Sequence, residues 1–331
     1  MGTRWKSWTA VVGLAVILGA TLSACDSGGD SRGDAPASAT DAAFPVTVST
    51  THGDVTIPTR PTRVIALSDD YLSPIVALGT MPVAYRTDGP NAAVPLGPWV
   101  ADALEGADVE VIPAGQINVE QLAALEPDLI AGPQWLIDDN MFAVLDAIAP
   151  TITHTDSGKG TERGAWEGQT RQIGLALGVS DEAEALIGRA NDAIDGIRTS
   201  NPQIAGKSIA VAYVLGEQVA FVNSPDASAG RFLSALGFAT ATIDPSRSDE
   251  RVGVSREQLS LLDNADVLVV SGTSPQSLSD LEADPLYRNL DVVRADRVLA
   301  TDITVSAGFN SPNAASIPYL IDLLKPYVGR L

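Results

Sequence analysis

Two stretches of the chain say nearly the same thing, and that repetition constrains the fold more than any other feature. Residues 117–133 read INVEQLAALEPDLIAGP, and residues 254–272 read VSREQLSLLDNADVLVVSG. Each holds a short polar residue, then Glu-Gln-Leu, a short helical pattern, an acidic step and an apolar run rich in β-branched residues. The surroundings repeat as well. In the first half RVIALS (63–68) is strand-like, DDYLSPIVALG (69–79) is helical and stops at Gly79, and PVAYR (82–86) is a second strand. VEVIP (109–113), the helix INVEQLAALEPD and the strand LIAGP follow. In the second half SIAVAYVLG (208–216) and QVAFVN (218–223) read as strands paired about a Gly-Glu turn. GRFLSALG (230–237) is a helix ending in the same Ala-Leu-Gly, and ATATID (239–244) is a strand. VSREQLSLLDNAD is a helix, VLVVSG (267–272) and RVLATD (297–302) are strands, and SIPYLIDLLKPYV (316–328) closes with a helix. Strands alternating with helices imply mainly parallel sheets with right-handed crossovers. Two matched series in the same order imply an α/β protein of two similar, Rossmann-like lobes, expected over residues 44–165 and 203–331.

The segment between them, residues 166–202, reads as connecting helices. Ile173, Leu175 and Leu177 belong to one helix, with Gly178 as its stop. Ser180 is placed to cap the next, with Asp181 and Glu182 in its first turn. Its apolar positions, Ala183, Leu186, Ile187, Ala190, Ile194 and Ile197, follow the i, i+3, i+4 pattern. A helix of about twenty residues spans roughly 30 Å. That length bridges two lobes rigidly where a Gly/Ser linker would let them swing, so the expectation is one long α-helix acting as a spine.

The N-terminal residues 1–24 carry Arg4 and Lys6, an apolar stretch over 9–20 and a small-residue site, Leu22-Ser23-Ala24, before Cys25. That is the layout of a secretory leader, and its apolar run is short for a membrane span. The site resembles the bacterial lipobox, which implies lipidation of Cys25. Because Cys25 is the single cysteine, no intramolecular disulfide can form. Residues 25–43 are Gly, Ser, Ala, Asp and Pro with little to bury, and read as a flexible tether. Charge agrees with export. The chain has 21 basic and 41 acidic residues, net −20, and loss of Arg4 and Lys6 with the leader makes it −22. Such a surface repels nucleic acid and anionic lipid. The two histidines, His52 and His154, form no ligand cluster in sequence and read as strand-end residues, so no metal is expected to be held directly by the protein.

An exported lipoprotein of two α/β lobes on one long helix resembles the helical-backbone class of ABC-importer binding proteins. RPTRVIALSDDYLSPIVALGTMPVAY is similar to the opening of that family, EQLAALEPDLIAG to its helix-then-strand segment, LDAIAPTIT to its Ile-Ala-Pro-Thr step and PLYRNLDVVRADRVLATD to its last strand. The resemblance covers most of residues 55–328. It implies capture of a ferric siderophore, haem or cobalamin between the lobes, with no enzymatic activity and no cofactor. It also implies delivery to an ABC permease and its ATPase, by a monomer on the outer face of the cytoplasmic membrane. In both repeats Asn118 or Ser255 is placed as N-cap and Gln121 or Gln258 at N3, the capping-box arrangement. Glu120 and Glu257 then fall at N2, and the resemblance gives them the role of docking onto permease arginines.

The ligand is expected on loops leaving the strands. Candidates are Tyr71, Arg86, Trp99 and Trp135 from the first lobe and Tyr213, Arg231 and Phe309 from the second. Arginine donates in a planar fork to hydroxamate, catecholate or carboxylate oxygens, and aromatic rings add apolar contact. With only 17 Arg and 4 Lys in an acidic chain, an arginine in such a loop points to an oxygen-rich or anionic ligand. Haem would want an axial His, Tyr or Met, a place Tyr71 could fill; cobalamin needs mainly an aromatic-lined cavity. The arginines favour a ferric siderophore. The chain has no G-x-S-x-G elbow, phosphate loop or H-E-x-x-H motif. A chelatase-like enzyme and a partner-binding surface lipoprotein are the remaining alternatives; Leu22 to Cys25 argues against the first.

Overall fold

The structure, a computed structural model, is described for residues 44–87, 96–154, 165–222, 224–241 and 251–331. The leader, Cys25 and the tether lie outside the described residues, as do residues 88–95 of the Pro/Gly-rich loop and the far end of the strand expected at 239–244.

The described chain opens with a hairpin the sequence reading did not anticipate, β1 (Val46–Thr50) and β2 (Gly53–Ile57), antiparallel with Val48 opposite Val55. Alternation explains it: Val48, Val55 and Ile57 are buried while their neighbours face water. The first lobe follows as β3 (Val64–Ala66), α1 (Asp69–Ala77), β4 (Ala84–Arg86), α2 (Pro98–Leu104), β5 (Glu110–Ile112), α3 (Val119–Ala124), β6 (Leu129–Ala131), α4 (Asp139–Asp146) and β7 (Thr151–Ile152). Its sheet is parallel throughout, in the order β5-β4-β3-β6-β7. Two helices connect the lobes, α5 (Ala165–Leu177) and the 21-residue α6 (Ser180–Ser200).

The second lobe comprises β8 (Ser208–Leu215), β9 (Gln218–Val222), α7 (Ser228–Ala235), β10 (Ala239–Thr240), β11 (Arg251–Ser255), a 3-10 helix (Arg256–Asn264) and β12 (Val267–Gly272). It continues through α8 (Pro275–Ala283), α9 (Pro285–Arg288), α10 (Asp291–Arg294), β13 (Val298–Thr301), α11 (Ile303–Asn310) and α12 (Ile317–Val328). The sheet runs β11-β9-β8-β12-β13, and β10 pairs with the start of β8. The series β10-β8-β12-β13 is parallel and repeats β4-β3-β6-β7 of the first lobe. The antiparallel strands β9 and β11 are additions to that plan.

The repeated residues do the same work in both lobes. Leu122 and Leu259 are buried, each in the satellite core on the outer face of its sheet. The acidic steps clasp the start of the first strand: Asp128 accepts from the Thr62 and Arg63 amides at 2.8 and 2.7 Å, and Asp266 from the Ser208 amide at 2.9 Å and from Lys207 Nζ at 3.1 Å. The two Ala-Leu-Gly endings are also alike. Gly79 (φ 83°) and Gly237 (φ 99°) follow the C-caps of α1 and α7 in the left-handed conformation that glycine enters without a Cβ penalty.

Two local expectations are corrected. The helix expected from residue 254 starts later and is 3-10, because Val254 and Ser255 are paired in β11 with Val219 and Gln218. Ser180 is the first helical residue of α6 and Val179 takes the cap position, since the turn from Gly178 reaches helical geometry one residue earlier than a Ser180 cap requires. The spine pattern holds: all six of its apolar positions are buried. They form the middle of one continuous core. It runs from Val64, Ala66 and Leu129 of the first sheet, through Ile173, Leu186 and Ile194, to Ile209, Val211 and Val267 of the second.

Candidate functional site

In parallel sheets the strand C-termini, helix N-termini and loops with free side chains gather at one edge, which is where α/β folds bind ligands. The seven candidates separate there into three groups.

Tyr71 and Phe309 are core residues. The chain is already helical at Asp69, so Tyr71 lies one turn into α1, fully buried on the side facing the sheet with Leu72 and Ile75. It meets the His154 ring edge-on, with centroids 5.4 Å apart. Burial and then the Asp70 charge hold its hydroxyl pKa well above the ordinary tyrosine value, which keeps it a neutral phenol. Enclosure also removes it as an axial ligand for haem. Phe309 is fully buried in α11, its ring 6.4 Å from Phe232. The sequence places Tyr71 in the helix over 69–79 and Phe309 on a loop, each reaching the ligand; both are helical in the structure, and helix phase turns each inward.

Trp99 and Tyr213 are largely committed to the protein. Trp99 donates Nε1–H to Ser73 Oγ at 2.9 Å and lies 5.9 Å from the Tyr319 ring, so its indole packs between elements instead of standing free. Tyr213, half-buried in β8, donates its hydroxyl to the Ser306 carbonyl at 3.1 Å.

Arg86, Trp135 and Arg231 remain at the strand and helix ends. Arg86 closes β4 at 7% exposure and donates Nη2–H to the Gly115 carbonyl at 3.3 Å. Trp135 lies just past β6 and is 69% exposed, the most exposed large apolar side chain among the described residues. Arg231, half-buried in the first turns of α7, donates to the Asp226 carbonyl.

The sequence places one further residue at a strand end without giving it a part in the site. His154 lies just past β7, after Thr153, and 3.8 Å from Asp70 at the head of α1. Burial lowers its pKa while the Asp70 charge works in the opposite direction. Its place at the site was readable from the strand-like Pro-Thr-Ile-Thr that precedes it. His52 lies beside the same edge, stacked on Phe142 and bonded to Asp139 in the first turn of α4 and to the Ile137 carbonyl, while the neighbouring Thr51 amide donates to the His154 carbonyl at 2.9 Å. Among the described residues no three His, Cys, Asp or Glu side chains gather to hold a metal ion.

Glu120 and Glu257 are exposed, each in the first turn of its helix. The caps differ. Asn118 accepts from the Gln121 amide at 3.1 Å, but the Gln121 side chain turns to Glu110, leaving that capping box half made. In the second lobe Gln258 does reach back, accepting from the Ser255 amide at 3.3 Å. A crossover helix runs antiparallel to the strands it joins, so both glutamates lie toward the same sheet edges as the ligand candidates.

Comparison with known proteins agrees with this architecture. Residues 64–303 match the periplasmic binding protein family. The Fe(3+)-citrate-binding protein YfmC of Bacillus subtilis is 24% identical over 306 residues, covering 91% of each chain. A periplasmic solute binding protein from Mycobacterium smegmatis is 30% identical and superposes with a TM-score of 0.72, covering 86% of this chain and 98% of its own. SirA of Staphylococcus aureus, solved with staphyloferrin B, shares the fold at 20% identity and a TM-score of 0.67, covering 86% of this chain and 98% of its own. The chain belongs to the periplasmic binding protein family.

Proposed function

We propose that this periplasmic binding protein is the capture component of an ABC importer, taking a ferric siderophore between its lobes and passing it to a membrane permease. The observation that carries the reading is the family match over residues 64–303 together with a first-lobe edge that ends in Arg86, Trp135 and His154. A guanidinium suits the carboxylate or hydroxamate oxygens around a ferric ion, and an exposed indole suits the ligand's apolar face. Arg231 would approach from the other lobe. The iron is cargo, arriving already wrapped in its chelator, so the protein needs no ligand set of its own. The relatives that bind Fe(3+)-citrate and staphyloferrin B favour an oxygen-rich, carboxylate-bearing complex.

Glu120 and Glu257 dock onto the permease in this reading, one from each lobe, and a separate ATPase drives transfer. A lipid on Cys25 holds the monomer to the outer face of the cytoplasmic membrane, with residues 26–43 as tether. The test is a tryptophan-fluorescence titration of the purified protein with ferric citrate, a ferric hydroxamate and the iron-free chelators. Saturable quenching by one ferric complex at sub-micromolar concentration, absent with its iron-free form, is expected. Equal responses with and without iron, or none to any complex, would overturn the reading.

A further inference from the structure

Trp99 has a seat that ligand binding does not explain. It belongs to α2, which packs on α1 in the first lobe, yet its indole reaches the second. A Cβ built on Gly308 of α11 would come within 2.5 Å of the indole, and one built on Gly97 within 2.2 Å, so the ring is clamped between two bare backbone positions, one from each lobe. Tyr319 of α12 meets it edge-on, and Ser73 of α1 takes its N–H and donates in turn to Asp69 at 3.0 Å. The chain of contacts therefore runs from the ligand edge of the first lobe, through Trp99, into two helices of the second.

Mechanically, two bodies joined along one helix resist bending but can still rock about that helix. A second contact set off its axis removes that freedom. α6 is one such contact, and the Trp99 ring in its glycine socket is another, off the axis of α6.

We propose that Trp99 is a positioning residue: seated against Gly308, it fixes the separation of the two lobes and so sets the size of ferric complex the cleft accepts. The inference rests on the cleft being the ligand site, but its first test does not. The full chain carrying Cys25→Ser, with spin labels at Val144→Cys and Leu286→Cys, reports the interlobe distance without ligand. Both label positions are exposed, one on each lobe, and they are then the only thiols. A narrow distribution is expected for the parent. Trp99→Ala should broaden it, and Gly308→Ala should shift its mean by forcing the ring out. Trp99→Phe should stay near the parent, and Gly308→Ala with Trp99→Phe should return toward it, because the smaller ring leaves room for the methyl. Should Trp99→Ala fail to fold, the single-methyl change and its rescue decide alone.

The second test compares a compact and a bulky ferric complex. Trp99→Ala and Gly308→Ala should change the ratio of their affinities by about tenfold, with Trp99→Phe unchanged. Distributions that superimpose for all variants would overturn the strut. An altered distance with an unaltered ratio would overturn its role in selecting ligand size. If the parent binds no ferric complex, the functional reading falls, and the distance measurement still decides whether Trp99 holds the lobes apart.

Discussion

The first lobe builds its main sheet from five strands of two or three residues, all parallel; the second has an eight-residue β8 whose edge is divided between parallel β10 and antiparallel β9. The features common to the two lobes survive this difference where backbone groups must be satisfied or a core filled. Asp128 and Asp266 hold the start of the central strand, Leu122 and Leu259 fill the outer core, and Gly79 and Gly237 end the first helix. What the repeats do not preserve is helix type: α3 is α-helical, and its counterpart, following the added β11, is 3-10. The clasps and the core are common to both lobes, and the added strands re-cut the connection between them.

Removing the shared outward feature should have the largest effect. Replacing both Glu120 and Glu257 with Ala is expected to leave ligand affinity unchanged and abolish uptake of the ferric complex by cells, whereas each single change leaves one lobe still docked. Normal uptake by the double variant would end the docking proposal. The equivalence of the cores can be tested next. Leu122→Ala and Leu259→Ala should each cost about 2–5 kcal/mol in chemical denaturation. A clearly smaller loss in the second lobe would mean that the 3-10 segment collapses around the cavity more readily than α3 does.

The acidic clasps offer a finer comparison. Burial pushes the Asp266 pKa up, but hydrogen bonds from Ser208 and Lys207 outweigh it and hold the value below that of an ordinary aspartate. Its folded-state pKa is therefore depressed, so its contribution is complete above the unfolded value of about 3.9 and is lost as pH falls through the folded value. Asp266→Asn should cost about 1 kcal/mol at neutral pH, since the site is partly solvent-screened, and this gap should close in acid. Stability curves that stay parallel down to acid pH would deny Asp266 that role. The smallest expected effect is on shape. With both lobes on α6 and one shared core, scattering profiles with and without ligand should nearly superimpose, and a marked compaction would count against the spine.

Much of this was legible because strand alternation, helix periodicity and glycine stops are written locally. The parallel order, the spine and its six buried positions all follow from such patterns. The site was legible to a lesser degree. A strand end can be placed within a residue or two, but the direction of a side chain depends on helix phase, and that turned Tyr71 and Phe309 inward. His154 reads as a strand-end residue, but its approach to Asp70 was not legible because Asp70 lies far away in the sequence. The partner of Trp99 was illegible for another reason: its socket is the absence of a side chain at Gly308, some two hundred residues away, and no local pattern announces a gap.

The single core running through both lobes carries a consequence for the lifetime of the protein. Neither sheet can open without exposing part of the packing that holds the other. A ligand gripping the cleft would then stabilise both lobes at once. At a free concentration one hundred times Kd, occupancy adds about 2.7 kcal/mol to the folded state. Where proteolysis follows the population of opened molecules, that is roughly a hundredfold slower loss. In the proposed role, empty copies are the ones cleared, and the supply of ferric complex sets how long each copy survives.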